Sequence, residues 1–182
     1  METFYSVGGN FAGVAKAGER YALGEMSGLA MRTNWIEAQA WILRRIELLC
    51  ARWRPAVPMH LAVGLRGERE ALFHLRKLGY VVVARRWKTA KLRGDVDLIG
   101  WDEEWLCFVE VKTRTGRDAM APAESAVDEN KRVMLRRMAR AYVRGFPEKV
   151  RREVPVRFDV VSVYLQPTGN EFELYRGAFG WE

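Results

Sequence analysis

The sequence predicts an α/β fold: a mixed β-sheet flanked by helices, with a helical extension at the N-terminus. Three observations carry that expectation. Three segments repeat apolar residues at the three-to-four spacing of a helix buried along one face. Five shorter runs are dense in β-branched and aromatic residues and are bounded by turn residues. After the first helix the order is helix, strand, strand, strand, helix, strand, strand, from which a mixed sheet with helices packed against it follows.

Residues 1–32 hold six of the chain's 16 glycines and no sustained apolar period, so they read as a flexible segment, with Met31 and Met59 as alternative starts. A helix is expected from Asn34 to Trp53. Asn34 and Glu37 have the spacing of a capping pair, and Trp35, Ala38, Ile42, Ile46, Leu49 and Trp53 share one face. "RPAVP" ends it, so 33–58 forms a helix with its linker and 59–182 the main domain. A second helix is expected over Arg66–Lys77, with Ala71, Leu72, Leu75 and Leu78 inward and Gly79 as its C-cap. "YVVVARRW" reads as a strand, followed by the basic loop "KTAKLR" and a hairpin. After the loop "TGRDAMAPAES" a third helix starts near Asp128 and Glu129, its acids first and its arginines last, as the helix dipole favours. "VRFDVVSVYL" is a buried strand, "QPTGN" a turn and "EFELYR" an edge strand.

Composition bounds the function. With 182 residues, 49% apolar and 12% aromatic, the chain can bury a core and carry an appendage. A net charge of +7 points to an anionic partner. Two cysteines, Cys50 and Cys107, make neither a disulfide framework nor a zinc cluster and suit a reducing cytosol. His60 and His74 have no neighbouring ligand motif and read as surface or half-buried residues. No basic segment followed by a continuous apolar run opens the chain. The most apolar stretch, "WIEAQAWILRRIELLCARW", is broken by Glu37, Arg44, Arg45 and Glu47, so it cannot span a bilayer. A cytoplasmic protein without a membrane partner is expected.

The hairpin "GDVDLIGWDEEWLCFVEVKTR" poses the functional question, because a buried-looking pair of strands also carries Asp97, Glu110 and Lys112. Glu110 and Lys112 project from one side of their strand. A turn near Asp102–Trp105 brings Asp97 within reach of Glu110. Two close carboxylates repel unless a cation or proton sits between them. Oxygen ligands with open positions suit Mg²⁺ or Mn²⁺, which can polarise a phosphodiester and generate hydroxide. The plain alternative is a structural ion pair, with Lys112 neutralising Glu110 or Asp97.

D-(x)12-E-x-K on a hairpin, after a helix carrying a glutamate, resembles the PD-(D/E)XK pattern of restriction-endonuclease-like nucleases. "GLRGEREALFHLRKLGYVVVARRWKT", "GDVDLIG", "FVEVKTR" and "RFDVVSVYL" resemble the bacterial YraN family more closely, and that family is similar to the archaeal Holliday junction resolvases. The resemblance runs from about Gly64 to Phe179. It implies a restriction-endonuclease-like fold, Asp97 and Glu110 as metal ligands, and Lys112 as the catalytic lysine. It also implies a catalytic helix glutamate at Glu68, with Glu70 competing for that role. Val96 stands where many such nucleases have proline, and Asp95 where the YraN family usually has glutamate.

Two basic segments flank this pattern. Arg85, Arg86, Lys88, Lys91 and Arg93 crowd the approach to Asp97, and Arg114 follows Lys112. On the third helix Arg132, Arg136, Arg140 and Arg144 recur every four residues, with Lys131 and Arg137 beside them. A solvated helix face explains such a run as readily as phosphate binding does. Beside a phosphate-cleaving site it would hold nucleic acid without reading its sequence. The expectation is therefore a Mg²⁺- or Mn²⁺-dependent endonuclease acting on nucleic acid, foremost DNA and including branched DNA. The alternative is a non-catalytic nucleic-acid-binding protein that retains the nuclease fold. Trp35, Trp41 and Trp53 of the early helix would pack on the domain or on a second copy, giving a homodimer.

Overall fold

A computed structural model of the chain describes residues 35–46, 58–115 and 127–181. Helix α1 covers 35–46 and α2 Met59–Lys77. Strands β1 (Val81–Trp87), β2 (Val96–Asp102) and β3 (Trp105–Thr115) follow, then α3 (Glu129–Val143), α4 (Glu148–Glu153), β4 (Val156–Leu165) and β5 (Glu171–Phe179). They form a five-stranded sheet in the order β1-β2-β3-β4-β5. Every neighbouring pair is antiparallel except β3 and β4, which run parallel. A parallel step requires a crossover, and α3 and α4 lie in that connection. The mixed sheet with flanking helices is thus present. The short α4 is the one element among the described residues that periodicity did not announce.

The sheet is covered on both faces. Leu135, Met138 and Ala139 of α3 pack against Ile99, Phe108 and Phe158. Ala71 and Leu75 of α2 pack against Leu98, Val109 and Val161 on the other side. Alternation along β3 divides its side chains between the two cores, Leu106 and Phe108 to one and Cys107 and Val109 to the other. A strand buried on both faces reads as a continuous apolar run, which is why "LCFV" is so hydrophobic.

α2 begins at Met59 rather than Arg66. Its added turns carry Met59, Leu61 and Leu65 exposed, so no one-sided burial marked them in the sequence. It ends as expected at glycine. Gly79 has φ +100°, the Tyr80 N–H donates to the Leu75 carbonyl at 3.0 Å, and the Gly79 N–H to that of Arg76 at 3.2 Å. This pair of bonds is the Schellman closure, which needs a left-handed residue. Leu78, expected inward, is exposed beside it.

The face of α1 that docks is not the expected one. Ile36 and Ala40, one turn apart, bury against Phe73 of α2, while Trp35, Trp41, Ile42 and Ile46 remain exposed, Trp35 at 65%. The small Ala40 lets the two helices approach, and Glu37–Lys77 (2.8 Å) and Gln39–Arg76 (3.1 Å) tie them at the rim. Asn34, Leu49 and Trp53, also assigned to this helix, and the segment 1–32 lie outside the described residues. No helix among the described residues is long and apolar enough to cross a membrane.

Candidate active site

The site opens where β2 leaves β3. The hairpin pairs Asp102 with Trp105 at its turn and Leu98 with Val109 at its far end. Beyond that point β3 continues from Glu110 to Thr115 with β4 as its partner. The Val111 N–H, which would otherwise lose a ladder acceptor, donates to Asp97 Oδ2 at 2.8 Å. Asp97 therefore closes the ladder with its side chain and stands across from Glu110. The resulting gap is reached from both helical layers. On the α2 side, Gly67 lies so close to β3 that an added Cβ would fall 1.8 Å from Thr113 Oγ1. That contact sets the neighbouring Glu68 at the gap. On the α3 side, Lys131 enters from the first turn, where the Asp128 side chain caps its N–H at 2.9 Å.

The carboxylates are unevenly compensated. Glu110 is 4% exposed, with Lys112 Nζ 3.0 Å from Oε1 and Lys131 Nζ 2.9 Å from Oε2. The plain expectation of a Lys112–Glu110 ion pair is thus observed, and it coexists with the carboxylate pair. Burial, then the Glu110 charge, push Asp97 up to about 7, against the opposing pull of the Val111 N–H and Lys131. Burial also raises Glu68, with Arg86 and Arg85 opposing it and Asp95 and Glu110 adding to it. Glu68 Oε2 is buried with no hydrogen-bond partner, and its nearest cation, Arg86 Nε, is 3.8 Å away. Burial pulls Lys131 down, but the Glu110 charge beside it, with Asp97 and Asp95, raises it on balance.

Glu70 faces elsewhere. It is buried on the opposite side of α2 and holds Arg44 of α1, Arg69 at 3.3 Å and the Asn170 amide at 3.1 Å. Of the two helix glutamates, Glu68 is the one brought to the gap. Among the described residues no three carboxylate, imidazole or thiol groups gather into a metal-ligand cluster. The close pair is Asp97 and Glu110. All-oxygen donors, a carboxylate held well above its ordinary range and an orphaned Glu68 oxygen fit a hard divalent cation.

The uncharacterised protein family UPF0102 matches residues 67–163. The chain belongs to this family. UPF0102 is the YraN-like family, and its matched segment contains Glu68, Asp97, Glu110, Lys112 and Lys131. The chain is similar to a UPF0102 protein of Koribacter versatilis, 49% identical over 69% of this chain and 84% of the relative. A UPF0102 protein of Solibacter usitatus is 48% identical over 64% of this chain and 84% of its own length. One from Porphyromonas gingivalis is 41% identical over 59% and 74%.

The basic residues of this UPF0102 chain fall into two groups. Arg85, Arg86, Lys88, Lys91 and Arg93 are exposed at the approach to β2, where Lys88 lies 3.9 Å from Asp95. Arg114 is half-buried on β3. The α3 stripe is taken up in part by contacts with the chain's end. Arg136, 9% exposed, donates to the Gly180 carbonyl and pairs with Glu129, both at 2.9 Å. Arg132 and Arg136 lie over the Phe179 ring and Arg140 over Trp181. Flat guanidinium groups stack well on aromatic rings, so the four-residue repeat follows the contact between α3 and the chain's last strand. Arg137, Arg140 and Arg144 remain exposed.

Sequence reasoning missed a second polar cluster at the hairpin-turn end of the sheet. Asp159, fully buried, accepts from Tyr80 at 3.0 Å, Arg157 at 2.8 Å and the Gly177 N–H at 2.9 Å. Arg157 also reaches Asp102. The signal was available: an Arg and an Asp inside the otherwise apolar "VRFDVVSVYL". Every member is partnered, as a structural network requires. Cys107 nearby is buried and its thiol is pushed up by that burial, so it stays protonated. His60 is exposed, and His74 stacks on Phe172 with ring centroids 4.3 Å apart.

Proposed function

We propose that this UPF0102 protein binds nucleic acid, DNA foremost, and hydrolyses phosphodiester bonds with Mg²⁺ or Mn²⁺ held by Asp97 and Glu110. The observation that carries this reading is the pair of facing carboxylates where β2 leaves β3, with Lys112 Nζ 3.0 Å from one of them. A divalent ion there would polarise the phosphodiester and lower the pKa of a bound water. Lys112 would orient that water or the scissile phosphate, and Glu68 would accept a proton or steady the water from the α2 side. Exposed Arg85, Arg86, Lys91 and Arg93 would grip phosphates on either side of the cut, positioning the strand without reading bases. The likeness of "GDVDLIG" and "FVEVKTR" to restriction-endonuclease-like nucleases supports the chemistry, and the likeness to junction resolvases makes branched DNA a substrate to test.

Calorimetric titration with MnCl₂ tests the site. The unaltered chain and Lys112→Ala are expected to bind Mn²⁺. Asp97→Asn and Glu110→Gln are expected to lose at least about tenfold in affinity. Equal affinity in all four chains would overturn the assignment.

A further inference from the structure

The two oxygens of Glu110 are divided between two lysines from different parts of the fold. Lys112 comes from two residues along the same strand, whereas Lys131 reaches across from the first turn of α3. Asp97 stands across from Glu110 at the same gap. One ammonium therefore sits beside a facing pair of carboxylates. Its contact with Glu110 Oε2 is close, at 2.9 Å, yet that oxygen has no aligned hydrogen-bond donor. The contact is a pairing of charges more than a directed bond, on a flexible four-carbon stem.

We propose that Lys131 is the site's internal counter-ion: it neutralises Glu110 in place of a divalent cation and is released when a cation enters. The inference rests on Asp97 and Glu110 being the cation ligands. Two facing carboxylates are costly to bury with Lys112 as their one cation, so a cation-free chain gains from a second charge. A divalent ion on Oε2 repels the ammonium held there, whereas Lys112 sits on the other oxygen, Oε1. The freed Lys131, at the mouth of the same site, is then available to a phosphate of the bound strand.

Two measurements on the full chain test this, with MnCl₂ as the probe. Calorimetry on the Lys131→Gln chain is expected to show Mn²⁺ bound at least tenfold more tightly than by the unaltered chain. Acylation of the unaltered chain with an amine reagent, read by mass spectrometry, is expected to rise several-fold at Lys131 when Mn²⁺ is present. A bystander lysine that merely repels the ion would give the first result without the second. Labelling that does not rise while Mn²⁺ binds overturns the counter-ion role and leaves the carboxylate site standing, as does equal affinity in the two chains. Absence of Mn²⁺ binding in both chains overturns the site itself, and the inference with it.

Discussion

Asp97 is the residue on which the site's electrostatic cost falls. Its ordinary value is 3.8, and burial beside Glu110 carries it to about 7 in the folded chain. Between those values the folded state retains a proton that the unfolded state has shed. Stability of the cation-free chain should therefore fall as pH rises from about 4 to about 7, and the penalty should be absent below both values. Asp97→Asn keeps an acceptor for the Val111 N–H and removes the charge. It is expected to be more stable than the unaltered chain at pH 8 in EDTA by on the order of 2 kcal/mol, with the gap closing at pH 4. Urea denaturation at both pH values checks this, and a gap independent of pH would show that Asp97 ionises freely. At this scale the sequence was legible where strand alternation applies. Spacing alone put Asp97 opposite Glu110 and Lys112 beside it. It could not show Lys131 at the same oxygen, because that contact depends on how α3 sits over the sheet. The resemblance put the helix glutamate at Glu68 with Glu70 competing, but that α1 engages Glu70 was not legible.

Among the elements, α2 is seated by a missing side chain. An added Cβ at Gly67 would lie 1.8 Å from Thr113 Oγ1 and 2.7 Å from Thr113 Cβ, so rotation of the threonine would not relieve the clash. Gly67→Ala is expected to lower stability by about 1–3 kcal/mol, although alanine ordinarily favours a helix by ~1 kcal/mol over glycine. A melting temperature that rises instead would mean α2 can lift from β3 freely. For α3 the sequence pattern could not show which arginines are taken up inside the fold. A repeat of arginines every four residues marks one face, but the partner of that face, Phe179 and Gly180, lies more than 40 residues on. Arg136→Gln is accordingly expected to cost about 1–2 kcal/mol in stability through its lost bond to the Gly180 carbonyl. It should leave nucleic-acid affinity and its salt dependence unchanged. The boundaries of β4 and the glycine stop of α2 were legible because composition changes abruptly there. The start of α2 was not, because its first turns bury nothing.

For the molecule as a whole, the net charge of +7 matters through its placement. If the exposed residues before β2 neutralise ~4 phosphates, log affinity for duplex should fall with log salt at a slope near about −3.6. Replacing Arg85 and Arg93 together with Gln should flatten that slope by roughly one to two units, equally on unrelated sequences. An unchanged slope would move the binding surface elsewhere. If Asp97 and Glu110 form a phosphodiester-cleaving site, cleavage must require both a divalent ion and the Asp97 carboxylate. The full chain and its Asp97→Asn variant are incubated with four-way-junction, flap, duplex and single-stranded DNA, in Mg²⁺ or Mn²⁺ and in EDTA. The expected result is cleavage of at least one substrate by the unaltered chain only with a divalent ion, reduced at least about 100-fold in the variant. DNA bound but left intact under every condition, or cut equally by both chains, would contradict it.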